Sequence, residues 1–319
     1  MSSVNTLENQ RDNLKQEKQR NSLIEFYRFL FALWVVWYHG FFIFKNEYFN
    51  HGYIAVEFFF ILSGFYILKA IDKYKDKSFF TGLWQLVWSR IKSLGLPFIV
   101  GLVFVFWFMF LDGQISTLGY LWYIPYMILS FALIYALKRL LKNEKIFILS
   151  LLFLVVISYI LLYIPILEGW GLFRGLGGVS LGVLISYIPK VNLKTKNINF
   201  NWIITIALFI LIIYLAYLPK ENLISEYFLV FLLIPMLIYF TNTLNANCRF
   251  LNFLGSLSFG LYAYQCILRV LEFYIPLAQY WLFLILISIV LIDKLIVKIY
   301  NIIKNKKTLA QTTQLSTKL

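Results

Sequence analysis

Charge is scarce in this chain. Only 14% of its 319 residues are Asp, Glu, Lys or Arg, against 61% hydrophobic and 20% aromatic. Soluble domains carry nearer a quarter charged residues, so an ordinary water-soluble fold is excluded. Histidine and cysteine are scarcer still, at two each. Two histidines and two well-separated cysteines, Cys248 and Cys266, cannot furnish a tight transition-metal site, so no metal is expected, and no disulfide either. GxSxG, the P-loop, the dinucleotide glycine fingerprint and HExxH are all missing, which removes the commonest hydrolase, NTPase, dehydrogenase and zinc-protease readings. Acidic residues number 15 against 29 basic, a formal charge of +14. The basic residues fall between apolar runs instead of gathering on one surface with interleaved aromatics, so nucleic acid is not an expected partner. Residues 1–20 are polar and have no apolar core, which excludes a cleavable signal peptide there.

What the chain has in abundance is long apolar runs, with a mean hydropathy of +0.76. A spanning helix takes about 20 mostly apolar residues. Segments of that kind cover Ser22–Phe44, Gly52–Ala70, Ser93–Leu111, Leu118–Leu137, Ile146–Ile164, Trp170–Ile188, Trp202–Leu218, Glu226–Phe240, Phe250–Leu271 and Leu277–Ile303. The expected fold is therefore all-α, a polytopic membrane bundle of about ten transmembrane helices. Residues 1–21 form a polar N-terminal segment, 22–303 one membrane domain and 304–319 a tail. With the N-terminus inside, most Lys and Arg fall in inside loops. Only Lys45, Arg174 and Lys220 lie outside, and Arg28 and Arg269 sit within helices. Basic loops stay cytoplasmic, so both termini are expected there. The inside loop Lys69–Lys92 carries Leu83, Trp84, Leu86, Val87 and Trp88 at near-helical spacing, which predicts an amphipathic interfacial helix.

Ionisable residues inside membrane segments are costly and mark function by default. The first segment holds Glu25, Arg28 and His39. Eleven helical steps return to within ~20° of the start, so Arg28 and His39 share a face about 16 Å apart along the axis. Glu57, a few residues into the second segment, is expected at a depth similar to His39. There a carboxylate beside the imidazole would fix its tautomer and raise its basicity, as a general base needs. On spacing alone a second reading stands: Arg28 snorkels to the interface with Glu25 as its structural partner, and His39 is an interfacial histidine. His51 reads as an ordinary loop residue. His39 is followed by GFFIFK and lacks the nearby aspartate of glycerolipid acyltransferases. In the outer loops Trp170, Arg174, Tyr274 and Tyr280 offer either a sugar-binding surface or an interfacial aromatic belt.

Four stretches, RFLFALWVVWYHG (Arg28–Gly40), GYIAVEFFFILSGFYI (Gly52–Ile67), LWYI (Leu121–Ile124) and LGSLSFGLYAYQ (Leu254–Gln265), resemble membrane acyltransferase family 3, bacterial polytopic enzymes that often O-acetylate surface glycans. The resemblance implies a membrane O-acyltransferase of the bacterial cytoplasmic membrane. It implies acyl-CoA, most simply acetyl-CoA, as co-substrate with no bound cofactor, and a saccharide hydroxyl as acceptor. His39 and Arg28 would be catalytic, with Glu57 at the family's acidic position. Two departures stand out. In WSRIKSLGLP the family's second arginine is replaced by Ser93, leaving Arg90 and Lys92 to meet the CoA phosphates. The fourth stretch ends in Gln265 where histidine is common. A transporter or flippase of a glycan precursor, which also wants buried Arg, His and Glu, is the rival class. Oligomeric state leaves no mark in the sequence.

Overall fold

The computed structural model describes residues 21–39, 52, 54–112, 121–162, 171–191, 200–217, 223–244, 246–274 and 279–316. All regular structure among them is helical. The helices are α1 (Ser22–His39), α2 (Ile54–Asp72), α3 (Phe79–Asp112), α4 (Tyr123–Leu140), α5 (Glu144–Leu161), α6 (Gly171–Ser186) and α7 (Phe200–Tyr217). There follow α8 (Leu223–Phe228), a π-helical turn (Leu229–Leu233), α9 (Ile234–Thr243), α10 (Arg249–Tyr274) and α11 (Gln279–Ser316). Each expected apolar segment coincides with a helix, and α11 continues through most of the expected tail.

Among the described residues, six spans are long and apolar enough to cross a membrane: α2, α3 as far as Trp107, α4, α5, α7, and Glu226–Thr243. Their outward faces are apolar, with Phe106, Phe110, Phe153, Val156, Ile203 and Ile210 all exposed. In water such a surface would aggregate, whereas lipid tails cover it at no cost. Helices α1, α6 and α10 fall outside the six: α6 is apolar but only 16 residues long, and α1 and α10 are less apolar than the six. They carry the polar and small residues of the interior, Glu25 and Arg28, a run of glycines, and Ser258 and Gln265, and their neighbours shield them from lipid.

The bundle centres on α2 against α6, where small residues let two backbones meet. A Cβ at Gly64 would run into the carbonyl of Val179, and one at Gly182 into the carbonyl of Ile61. The start of α1 is tied to the α9–α10 connection. Asn21 caps the helix by accepting from the Leu23 N–H at 3.0 Å, while its amide donates to the carbonyls of Thr241 (2.7 Å) and Leu244 (2.6 Å). The Ser22 N–H donates to the Ala246 carbonyl at 3.0 Å.

The amphipathic stretch is the first half of α3. Phe80, Trp84 and Trp88 recur every four residues on one exposed stripe, and the two indoles stack at 5.8 Å. Leu86 on the other face is fully buried. The helix breaks at Gly95, whose φ of 62° a residue with a Cβ adopts only under strain, and Pro97 starts the second half two residues later.

Replacing Gly182 by Ala forces α2 and α6 apart or strains the carbonyl of Ile61. The expected cost is about 1–3 kcal/mol, as for other overpacked cores. It is to be read as a fall in the thermal unfolding midpoint in detergent or nanodiscs. An unchanged midpoint would mean that α6 does not pack against α2 at this distance.

Candidate functional site

Among the described residues lies a cavity of about 1240 Å³. Its mouth lies at the end where α1 and α10 begin and α2 and α6 finish, and is rimmed by Lys69, Asp72, Lys190 and Asn242. This is the end the charge distribution marks as cytoplasmic. The cavity reaches inward to Val56, Tyr123 and Tyr262, so that it follows α2 for roughly 24 Å. Its walls mix aliphatic and aromatic side chains with a few polar groups, the composition of a site for a long, part-polar ligand.

Arg28 and Arg90, expected from the sequence as separate site residues, line this same cavity. Arg28 donates from Nη1 to Oε2 of Glu25 at 2.8 Å. Glu25 is buried, and α10 approaches it so closely that a Cβ at Gly255 would overlap its side chain. The carboxylate thus holds the guanidinium at the wall, where its remaining donors can meet a ligand. Arg90 lies with its guanidinium 5.3 Å from the Phe131 ring centroid, and its Nε has no hydrogen-bond partner among the described residues. A half-buried cationic group with donors to spare suits phosphate oxygens. Lys92 does not join it. Its ammonium sits 5.4 Å over the Trp88 ring, and it is absent from the cavity wall. The basic side chains that do join Arg28 and Arg90 are Lys69 and Lys190. Deeper, Ser63 faces the cavity, 3.3 Å from the Tyr123 hydroxyl.

Glu57 stands in other company than the sequence suggests. Its side chain is 4% exposed. Its Oε1 accepts from Arg174 Nε at 2.6 Å and its Oε2 from the Tyr159 hydroxyl at 3.2 Å. Arg174 also places its guanidinium 5.1 Å from the Trp122 ring centroid. The expectation that Glu57 lies level with His39 is corrected by helix register. Phe31 stacks on Phe58 with centroids 4.1 Å apart, which sets Glu57 beside the Phe31–Ala32 level. His39 is roughly 10 Å farther along α1. Helix α1 ends at His39, whose side chain lies outside the described residues, as do Trp170, His51 and the side chains of Tyr274 and Tyr280. The described partners of Glu57 are thus Arg174, read from the sequence as an outer-loop residue, and Tyr159. The signal available was a lone outer arginine and an intramembrane glutamate with no basic residue one helical turn away. The described residues contain no cluster of metal-ligating side chains.

Removing one partner of a buried ion pair leaves a charge uncompensated. Arg174→Met should therefore destabilise the fold by about 3–5 kcal/mol, and adding Glu57→Gln should restore most of it. Unfolding midpoints of the four proteins of this cycle test the coupling. Additive effects would show that the pair is not formed.

Residues 21–292 match a family model described as an acyltransferase domain. No curated protein and no solved structure matches the chain.

Proposed function

The chain belongs to membrane acyltransferase family 3, and from that premise we propose that it is an O-acyltransferase moving an acyl group, most simply acetyl, from cytoplasmic acyl-CoA to a hydroxyl of a cell-surface polysaccharide or lipid-linked sugar. The observation that carries this reading is the long cavity lined by both Arg28 and Arg90, with its mouth at the basic end of the bundle. In this reading ten helices cross the bacterial cytoplasmic membrane, with both termini on the cytoplasmic side.

Acyl-CoA combines a compact polyanionic head with a thin arm ending in a thioester. The phosphates meet Arg90, with Lys69 and Lys190 at the mouth in place of Lys92. The arm runs inward past Arg28. The thioester end comes to His39, about 16 Å beyond Arg28 along α1. His39 takes the proton of the sugar hydroxyl as its oxygen attacks the thioester carbonyl. The C–S bond breaks, CoA leaves as its thiolate, and the histidine's proton passes to the sulfur. Glu57, held between Arg174 and Tyr159, fixes α2 at the inner end of the cavity. Its part is to position α2. Arg174 likewise serves Glu57, and the acceptor meets other groups nearer the outer face, Trp170 among them.

Two measurements test this. Surface glycans from cells expressing His39→Ala, verified as stably inserted, should be lighter than wild type by one acyl group per modified residue, as from a deletion strain. If the deletion lowers glycan quantity and leaves the mass unmodified, transport replaces acyl transfer as the function. For Arg90→Gln the KM for acyl-CoA should rise by roughly tenfold or more, the scale of a hydrogen bond to a charged group, with kcat little changed. An unchanged KM would remove Arg90 from the donor site.

A further inference from the structure

Helix α10 carries a polar stripe that leads out of the cavity. Ser258 and Tyr262 line the cavity wall, and Gln265 follows on the same helical face, at positions i, i+4 and i+7. Gln265 is 3% exposed, yet neither its Nε2 nor its Oε1 has a hydrogen-bond partner among the described residues. Buried carboxamides are nearly always paired, because leaving donor and acceptor dry costs free energy. A residue that leaves both unpaired in the resting protein is best explained by a ligand that pairs them.

The depth of Gln265 narrows the choice of ligand. Helices α1 and α10 run in the same direction, since the Ser22 N–H donates to the Ala246 carbonyl and Glu25 lies against Gly255. Gln265 is roughly 15 Å along α10 from Gly255, whereas Arg28 and His39 are about 5 and 21 Å along α1 from Glu25. Gln265 therefore stands between the levels of Arg28 and His39. It lies beyond the part of the cavity where phosphates are met and short of the level proposed for acyl transfer. An extended chain crossing that interval presents whatever polar groups it carries to this face. A primary carboxamide offers one N–H and one C=O in a common plane, the complement of a secondary amide.

We propose that Gln265 is a donor-positioning residue, hydrogen-bonding a secondary amide of the pantetheine arm of acyl-CoA and so setting how far the thioester advances along α1. This rests on the acyl-CoA reading of the cavity. The pairing accounts for a glutamine at a buried position where an apolar residue would suit the resting fold better.

The test uses the full-length protein in lipid nanodiscs with two probes, acetyl-CoA and adenosine 3′,5′-bisphosphate, which has phosphates but no arm. Gln265→Met keeps the length and removes both hydrogen-bonding groups. Acetyl-CoA binding should weaken about tenfold, the scale of a lost hydrogen bond. Bisphosphate binding should be unchanged and the unfolding midpoint equal to wild type or higher, because an unpaired polar group has been removed. A structural role would instead lower the midpoint and weaken both probes alike, and an acceptor-side role would leave acetyl-CoA binding intact. Either result overturns the proposal. Should Gln265→Met fail to insert, Gln265→Asn, with its carboxamide one methylene back, is expected to show the same selective loss. Wild-type protein that binds neither probe would overturn the donor reading itself, a result distinct from failure of the glutamine's role.

Discussion

A charge inside a lipid-embedded bundle is costly unless paired, and among the described residues two ion pairs meet that constraint. Glu57 with Arg174, at 2.6 Å, joins α2 to α6 across a close helix contact. Glu25 with Arg28, at 2.8 Å, sits within α1 where α10 closes over it. The first pair is spent on architecture. Both oxygens of Glu57 are engaged, one by a guanidinium and one by the Tyr159 hydroxyl, and the group is sealed from solvent. The second is open on one side. Arg28 is about a third exposed and lines the cavity, so its carboxylate partner fixes the guanidinium without using all its donors. The same chemistry thus gives a lock at one place and a ligand-facing cation at another, and exposure to the cavity decides which.

The interior polarity follows from helix placement. The strongly apolar helices α5 and α7 turn much of their surface to lipid, and α1, α6 and α10 are enclosed by their neighbours. Enclosure lets α1 and α10 carry charges and amides that a lipid-facing helix could not, and lets α6 use glycines for contact in place of apolar bulk. The amphipathic half of α3 is the transition. Trp84 and Trp88 face outward at the level of the basic loops, Arg90 faces the cavity, and the break at Gly95 redirects the chain into the bundle.

Much of this was legible in the sequence. Apolar run lengths located the helices, and the i, i+3 spacing of Glu25 and Arg28 foretold their contact. The Trp84–Trp88 periodicity gave the interfacial stretch. What escaped was every relation set by packing between helices far apart in the chain. The register of α1 on α2 depends on Phe31 stacking on Phe58, so Glu57 could not be levelled against His39 by counting from segment ends. Arg174 was read as an outer-loop residue from its place at the outer end of its segment, and nothing local ties it to a carboxylate 117 positions earlier. Lys92 was grouped with Arg90 through the family resemblance, but two residues along a helix turn a side chain through about 200°, which sends one inward and the other onto Trp88.

The central claim is that the cavity running past Arg90 and Arg28 toward His39 receives acyl-CoA. A cryo-EM map of the protein in nanodiscs with a non-hydrolysable acyl-CoA analogue tests it most directly. The account predicts phosphate density against Arg90 near the mouth and a continuous arm passing Arg28, with the acyl end directed to His39. An empty cavity at saturating analogue, or analogue bound with its phosphates at the opposite face of the bundle, would contradict it.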